Sequence, residues 1–141
     1  MEWITLAVDY GIIGILVFLC FIVVAFGIER ALYYSNVTLK EFSHKQDLEI
    51  CLRKNLQFIG TVAGNAPYVG LLGTVLSIML TFYNIGLNSS LSTESIMASL
   101  ALALKATAVG LIVAIVAVVI YNALSAKAQM LLLKWEVLHE K

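Results

Sequence analysis

Gly70, Thr74, Ser77, Thr81, Asn84 and Asn88 follow one another at spacings of four and three. On an α-helix that alternation keeps all six on one face. A second series, Ala103, Thr107, Gly110, Ala114 and Ala117, repeats the spacing further along. Each hydroxyl in these stripes offers one donor and two acceptor lone pairs. The chemistry available is therefore hydrogen bonding, to water, to a carboxylate or across a helix pair. It is not proton release at accessible pH, because serine and threonine hydroxyls do not titrate there.

The elements that carry these stripes are apolar. Between the stripe positions stand Leu71, Leu72, Val75, Leu76, Ile78, Met79, Leu80 and Phe82. Residues 10–28 hold no charge, residues 55–93 hold none, and residues 95–126 hold only Lys105. About 20 apolar residues suffice to cross ~30 Å of hydrocarbon. The sequence predicts an all-α membrane protein with three transmembrane helices, over about 10–28, 66–87 and 97–123. One domain then accounts for residues 1–141, with a segment 29–65 and a tail 124–141 in the cytoplasm.

Composition agrees and narrows the classes. The 141 residues are 61% hydrophobic and 13% charged, with nine Lys+Arg against nine Asp+Glu and a mean hydropathy of +0.94. A soluble domain carries ~25% charged residues, so a soluble fold lacks the surface it needs, and the apolar excess without net charge excludes a disordered chain. Balanced charge argues against nucleic acid as a partner.

The basic residues give the orientation. Arg30, Lys40, Lys45, Arg53 and Lys54 separate the first two spans, and Lys127, Lys134 and Lys141 follow the third. Residues 1–9 and 88–96 contain neither Lys nor Arg. Because cytoplasmic loops collect Lys and Arg, the N-terminus is expected outside and the C-terminus inside. The first span is read as a retained anchor, since Glu2 and Asp9 precede it where a cleaved leader has positive charge. Cys20 and Cys51 fall in the span and the cytoplasmic segment and are not expected to pair. His44 and His139 lie at opposite ends of the chain, and no metal cluster, cofactor site or nucleophile–base pair suggests an enzyme.

Segment 29–60 reads as amphipathic and helical, with Leu48, Cys51 and Leu52 at helical spacing, a solvated extension of a span. In the tail, Leu131, Leu132, Trp135 and Leu138 could share one face. Gly60-x-x-x-Gly64 is a short close-packing motif. Pro67, the sole proline, removes a backbone donor and frees the carbonyl of Ala63, which marks a kink at the cytoplasmic mouth of the second span.

Small and polar stripes have two uses in a membrane. They pack helices closely, or they line a polar path in the bundle interior. No Asp, Glu or His falls within the three spans as bounded above, so a protein that moves protons along these stripes must borrow its titrating acid from another chain. Lys105, two residues from Thr107, points away from the small stripe. It either snorkels towards the outer interface, pairing with an acid such as Glu94, or serves as counter-ion to a partner's carboxylate.

APYVGLLGTVLSIMLTF at 66–82 and KATAVGLIVAIVAVVIYN at 105–122 resemble the two most distinctive segments of the ExbB/TolQ/MotA family of proton-channel proteins. The three spans and their orientation resemble its ExbB/TolQ branch, ExbB-type members most closely, and Glu29-Arg30 looks like that branch's Glu-Arg pair at the cytoplasmic end of the first span. MotA-like flagellar stators have four spans and fit less well. The resemblance implies a pentameric ring in the bacterial inner membrane. It implies an ExbD-type single-span partner supplying the titrating aspartate, and coupling of the proton motive force through a TonB-type protein to transport across the outer membrane. A TolQ-like role in the Tol-Pal system, or a structural bundle that conducts nothing, are the alternatives. By motif position Thr74 and Thr107 match the family's pore threonines, with Gly70, Ser77, Thr81, Ala103, Gly110 and Ala114 on the same faces. The chain departs from the family pattern at Leu102, where a glutamate is frequent, at Val116, where a proline is common, and in its short cytoplasmic segment.

Overall fold

The computed structural model describes residues 2–87 and 90–140. Four α-helices and one 3-10 turn make up the described chain: α1 (Glu2–Asn36), the turn Leu39–Glu41, α2 (Lys45–Arg53), α3 (Leu56–Leu87) and α4 (Thr93–Leu138). Among the described residues there is no strand. Asn88 lies outside the described residues, as does Lys141.

α1, α3 and α4 are long and apolar enough to cross a membrane. They have 35, 32 and 46 residues, so at ~1.5 Å per residue each exceeds the ~30 Å that hydrocarbon requires. The excess of α3 and α4 lies largely at the end that holds the basic residues. Only 17% of the most apolar window of α1 is buried, and 28% and 33% of those of α3 and α4. Phe18, Phe21, Leu71, Phe82, Ile112 and Val119 are among the large side chains that face outward. That surface belongs against lipid or other chains.

α3 and α4 run antiparallel, and their backbones meet at two glycines. A Cβ on Gly70 would lie 2.7 Å from the Ala106 carbonyl oxygen, and one on Gly110 would lie 2.8 Å from that of Ala66. Any side chain there would push the helices apart, so glycine sets the crossing. α1 packs across both. Its inward positions are Asp9, Ile12, Leu16, Cys20, Val23, Gly27, Arg30 and Tyr34, again at threes and fours, with Leu16 and Val23 fully buried. Pro67 sits inside α3, which continues through it as helix.

The segment 29–60 departs from the single amphipathic helix expected. α1 continues to Asn36, and the chain then breaks at the 3-10 turn before α2. Asn55 takes a positive φ of 66°, a conformation asparagine tolerates better than most residues, and reverses the chain into α3. α2 is therefore not an extension of a span. It docks through Leu48 and Leu52, both fully buried, onto the α3 and α4 extensions, where they join Leu56, Ile59, Leu131 and Leu132 in one core.

Polar contacts lock this end. Arg30, 2% exposed, donates two hydrogen bonds of 2.5 Å to Glu29 and one of 2.6 Å to the Cys51 carbonyl. Its guanidinium lies 4.4 Å over the Tyr33 ring. The Tyr34 hydroxyl donates to the Leu52 carbonyl, Lys45 pairs with Glu136, and the Trp135 indole donates to Phe42 at 2.9 Å. On the tail face, Leu131 and Leu132 are buried and Trp135 half-buried, but Leu138 is exposed.

Candidate functional site

The two stripes face each other. Gly70, Thr74, Ser77 and Thr81 are buried on α3, and Ala103, Gly110, Ala114 and Ala117 are buried on α4. Within one chain they form the α3–α4 seam, while Thr107 is half-buried at its edge. Asn84 is half-buried at the end of the α3 series.

Thr74 is the hub of the seam. Its Oγ1 donates to the Ala103 carbonyl at 2.9 Å and also contacts the Thr107 hydroxyl. Thr107 Oγ1 in turn reaches the Gly70 carbonyl at 3.5 Å. Each threonine has one proton to give, so two self-consistent arrangements exist. Thr74 can donate to Ala103 while Thr107 donates to Thr74, or Thr74 can donate to Thr107 while Thr107 donates to Gly70. A hydroxyl pair with two such settings can reorient to match a charge that arrives beside it. Thr81 Oγ1 bonds its own helix at the Ser77 carbonyl, 2.9 Å away.

Ser77 reaches beyond the α3–α4 seam to α1. With 1% exposure, it donates across the helix interface to Oδ1 of Asp9, 68 residues earlier. Asp9 adjoins the first span as expected from the charge-free run, and through Ser77 an acid of this chain touches the α3 stripe. The first span was bounded at residue 10 by the charge-free run, which left Asp9 outside by one residue, whereas the apolar helix begins by Leu6. The missed signal was the inward series that starts at Asp9 and ends at Arg30 and Tyr34.

Lys105 is exposed, as its position two residues from Thr107 requires. Its Nζ lies 5.8 Å over the Tyr10 ring, and among the described residues no ion pair joins it to Glu94. Glu29 and Arg30 form an ion pair at the opposite end of α1. Leu102 is 59% exposed and turned away from the seam. Gly60 packs against the Tyr121 ring, whereas Gly64 faces open space. Among the described residues no group of three His, Cys, Asp or Glu could hold a metal ion.

Residues 36–137 match the family model described as the MotA/TolQ/ExbB proton channel family. The chain is similar to the biopolymer transport protein ExbB of Aquifex aeolicus, at 53% identity over 139 residues, which cover 99% of this chain and 94% of that protein. It is 50% identical over 132 residues to the putative biopolymer transport protein ExbB-like 2 of Helicobacter pylori, covering 94% of this chain and 88% of the relative. The Tol-Pal system protein TolQ of Pseudomonas aeruginosa is 42% identical over 81 residues, covering 57% and 35%.

Proposed function

The chain belongs to the MotA/TolQ/ExbB proton channel family, and from that premise we propose that it is the channel subunit of a proton-driven energy-coupling complex in the bacterial inner membrane. Its 141 residues act as one domain, N-terminus outside and basic end in the cytoplasm. Five copies form a ring, and an ExbD-type single-span partner inside it carries an aspartate that is protonated and released. A TonB-type protein passes the work to transporters of the outer membrane. Its chemistry is hydrogen bonding and proton transfer, with no enzymatic reaction on a substrate.

The observation that carries this reading is the Thr74–Thr107 hydroxyl pair at the glycine crossing. Buried hydroxyls in a membrane bundle are costly unless paired. Here the pair has alternative settings, and Thr107 is only half-buried, so its side of the seam can meet a partner helix. The small stripe residues Gly70, Ala103, Gly110 and Ala114 let the two helices approach to the distance the pair needs, while Ser77 bonds α1 and Thr81 its own helix. One charge crossing 100 mV releases ~2.3 kcal/mol, so a few protons per cycle supply a large conformational step.

Thr107→Val tests the assignment, because it removes the hydroxyl and keeps the volume. Proton-driven uptake across the outer membrane is expected to fall while native mass spectrometry still shows the pentamer. Full uptake with normal assembly contradicts it. A TolQ-like role is the second reading, favoured by the likeness to the Pseudomonas aeruginosa protein over 57% of this chain. In that case loss of the chain impairs outer-membrane integrity instead of uptake.

A further inference from the structure

Asp9 is an acid inside an apolar helix, and such residues face the bundle interior and take a partner. Asp9 does both. It is half-buried, and its Oδ1 accepts from Ser77, a fully buried hydroxyl of α3. Among the described residues it joins no ion pair; those formed are Arg30–Glu29, Lys45–Glu136 and Arg53–Glu49. Its charge is thus met by a single neutral donor. Ser77 lies about one helical turn from Thr74 on the same buried face of α3.

The groups around Asp9 are few. α3 brings no charged residue at all over Leu56–Leu87, and its Tyr83 is exposed. α4 brings Lys105, whose Nζ rests over the ring of Tyr10, the residue after Asp9. Glu94, at the start of α4, is exposed.

We propose that Asp9 is a proton-binding group resident in this chain, loaded from water at the amino-terminal end of α1 and held in both states by Ser77. The inference rests on the proton-channel reading for its purpose, though not for its chemistry. In the ionised state the Ser77 hydroxyl donates to the carboxylate across the contact that joins the two residues. When a proton arrives from water, the new Asp9 O–H donates to Ser77 Oγ, which has free lone pairs. The serine hydrogen is then available to the Gly73 carbonyl one turn back, the usual local acceptor for a helical serine. Loading and release each move one proton between the carboxyl and water, and neither breaks the α1–α3 link.

Asp9→Asn separates this role from a structural one. The amide oxygen still accepts from Ser77, but the side chain cannot bind a proton. With the full chain in phospholipid vesicles, infrared difference spectra across a pH titration should show a carboxyl band that Asp9→Asn abolishes. Ser77→Ala should move that band towards the position of water-exposed carboxyls. In cells, Asp9→Asn should lose proton-driven uptake by on the order of tenfold or more, with the complex assembled and Asp9→Glu retaining activity. Wild-type uptake by Asp9→Asn, or an unmoved band in Ser77→Ala, overturns the proposal. If deleting the whole chain leaves proton-driven uptake intact, the channel reading fails instead, and the infrared arm still decides whether Asp9 binds its proton against Ser77.

Discussion

Thr74 of α3 and Thr107 of α4 bond to each other through their hydroxyls, across helices that touch backbone to backbone at Gly70 and Gly110. The close approach and the polar pair depend on one another. Without the glycines the helix axes would separate and the hydroxyls would lose contact. Without the hydroxyls the seam would be an ordinary small-residue packing face.

The glycines can be told apart by substitution. Gly70→Ala and Gly110→Ala place a methyl within 3 Å of backbone on the facing helix, which cannot yield as a side chain can. Each is expected to cost about 1–3 kcal/mol and to lower the thermal stability of the purified protein in detergent. Gly64→Ala meets nothing within 4 Å and should gain up to ~1 kcal/mol from helix propensity.

Arg30 is the clamp at the basic end. Arg30→Met removes three hydrogen bonds and leaves the Cys51 carbonyl without its donor. For an acceptor only half-buried like this one, the loss costs up to about 1 kcal/mol, at the low end of the range for orphaned acceptors. α2 should loosen, and limited proteolysis between α1 and α3 should accelerate. Arg30→Lys should rescue poorly, since an ammonium cannot span Glu29 and Cys51 as the guanidinium fork does.

Lys105→Met is expected to be tolerated in assembly and stability. Its recorded contact is the Tyr10 ring at 5.8 Å, at an exposed site, where such contacts contribute about 0.5–1 kcal/mol. Loss of uptake with assembly intact would instead identify Lys105 as counter-ion to a partner's carboxylate.

Much of this was legible in the residues. The charge-free runs located the three long helices, and the threes and fours of the stripes correctly grouped Thr74, Ser77 and Thr81 on one face. Periodicity could not say what that face meets. The α1 and α4 surfaces that cover it come from distant sequence, and only their packing brings Thr107 to Thr74 and Asp9 to Ser77. The break around α2 was missed for a local reason. Segment 29–60 has no glycine or proline before Gly60, and the reversal is made by Asn55 at positive φ. The charge of Asp9 ends the apolar run but not the helix. A helix does not end where its apolar run ends, and an acid on the inward series can stay inside if a hydroxyl awaits it.

The central claim is that the Thr74–Thr107 pair serves proton movement. Its most direct test is proton flux in liposomes holding the assembled ring with its single-span partner, comparing wild type with Thr74→Val, Thr107→Val and the double variant. Each single variant is expected to reduce flux by on the order of tenfold, and the double variant by little more than either, because bonded partners are not additive. Wild-type flux through a correctly assembled double variant would contradict the account.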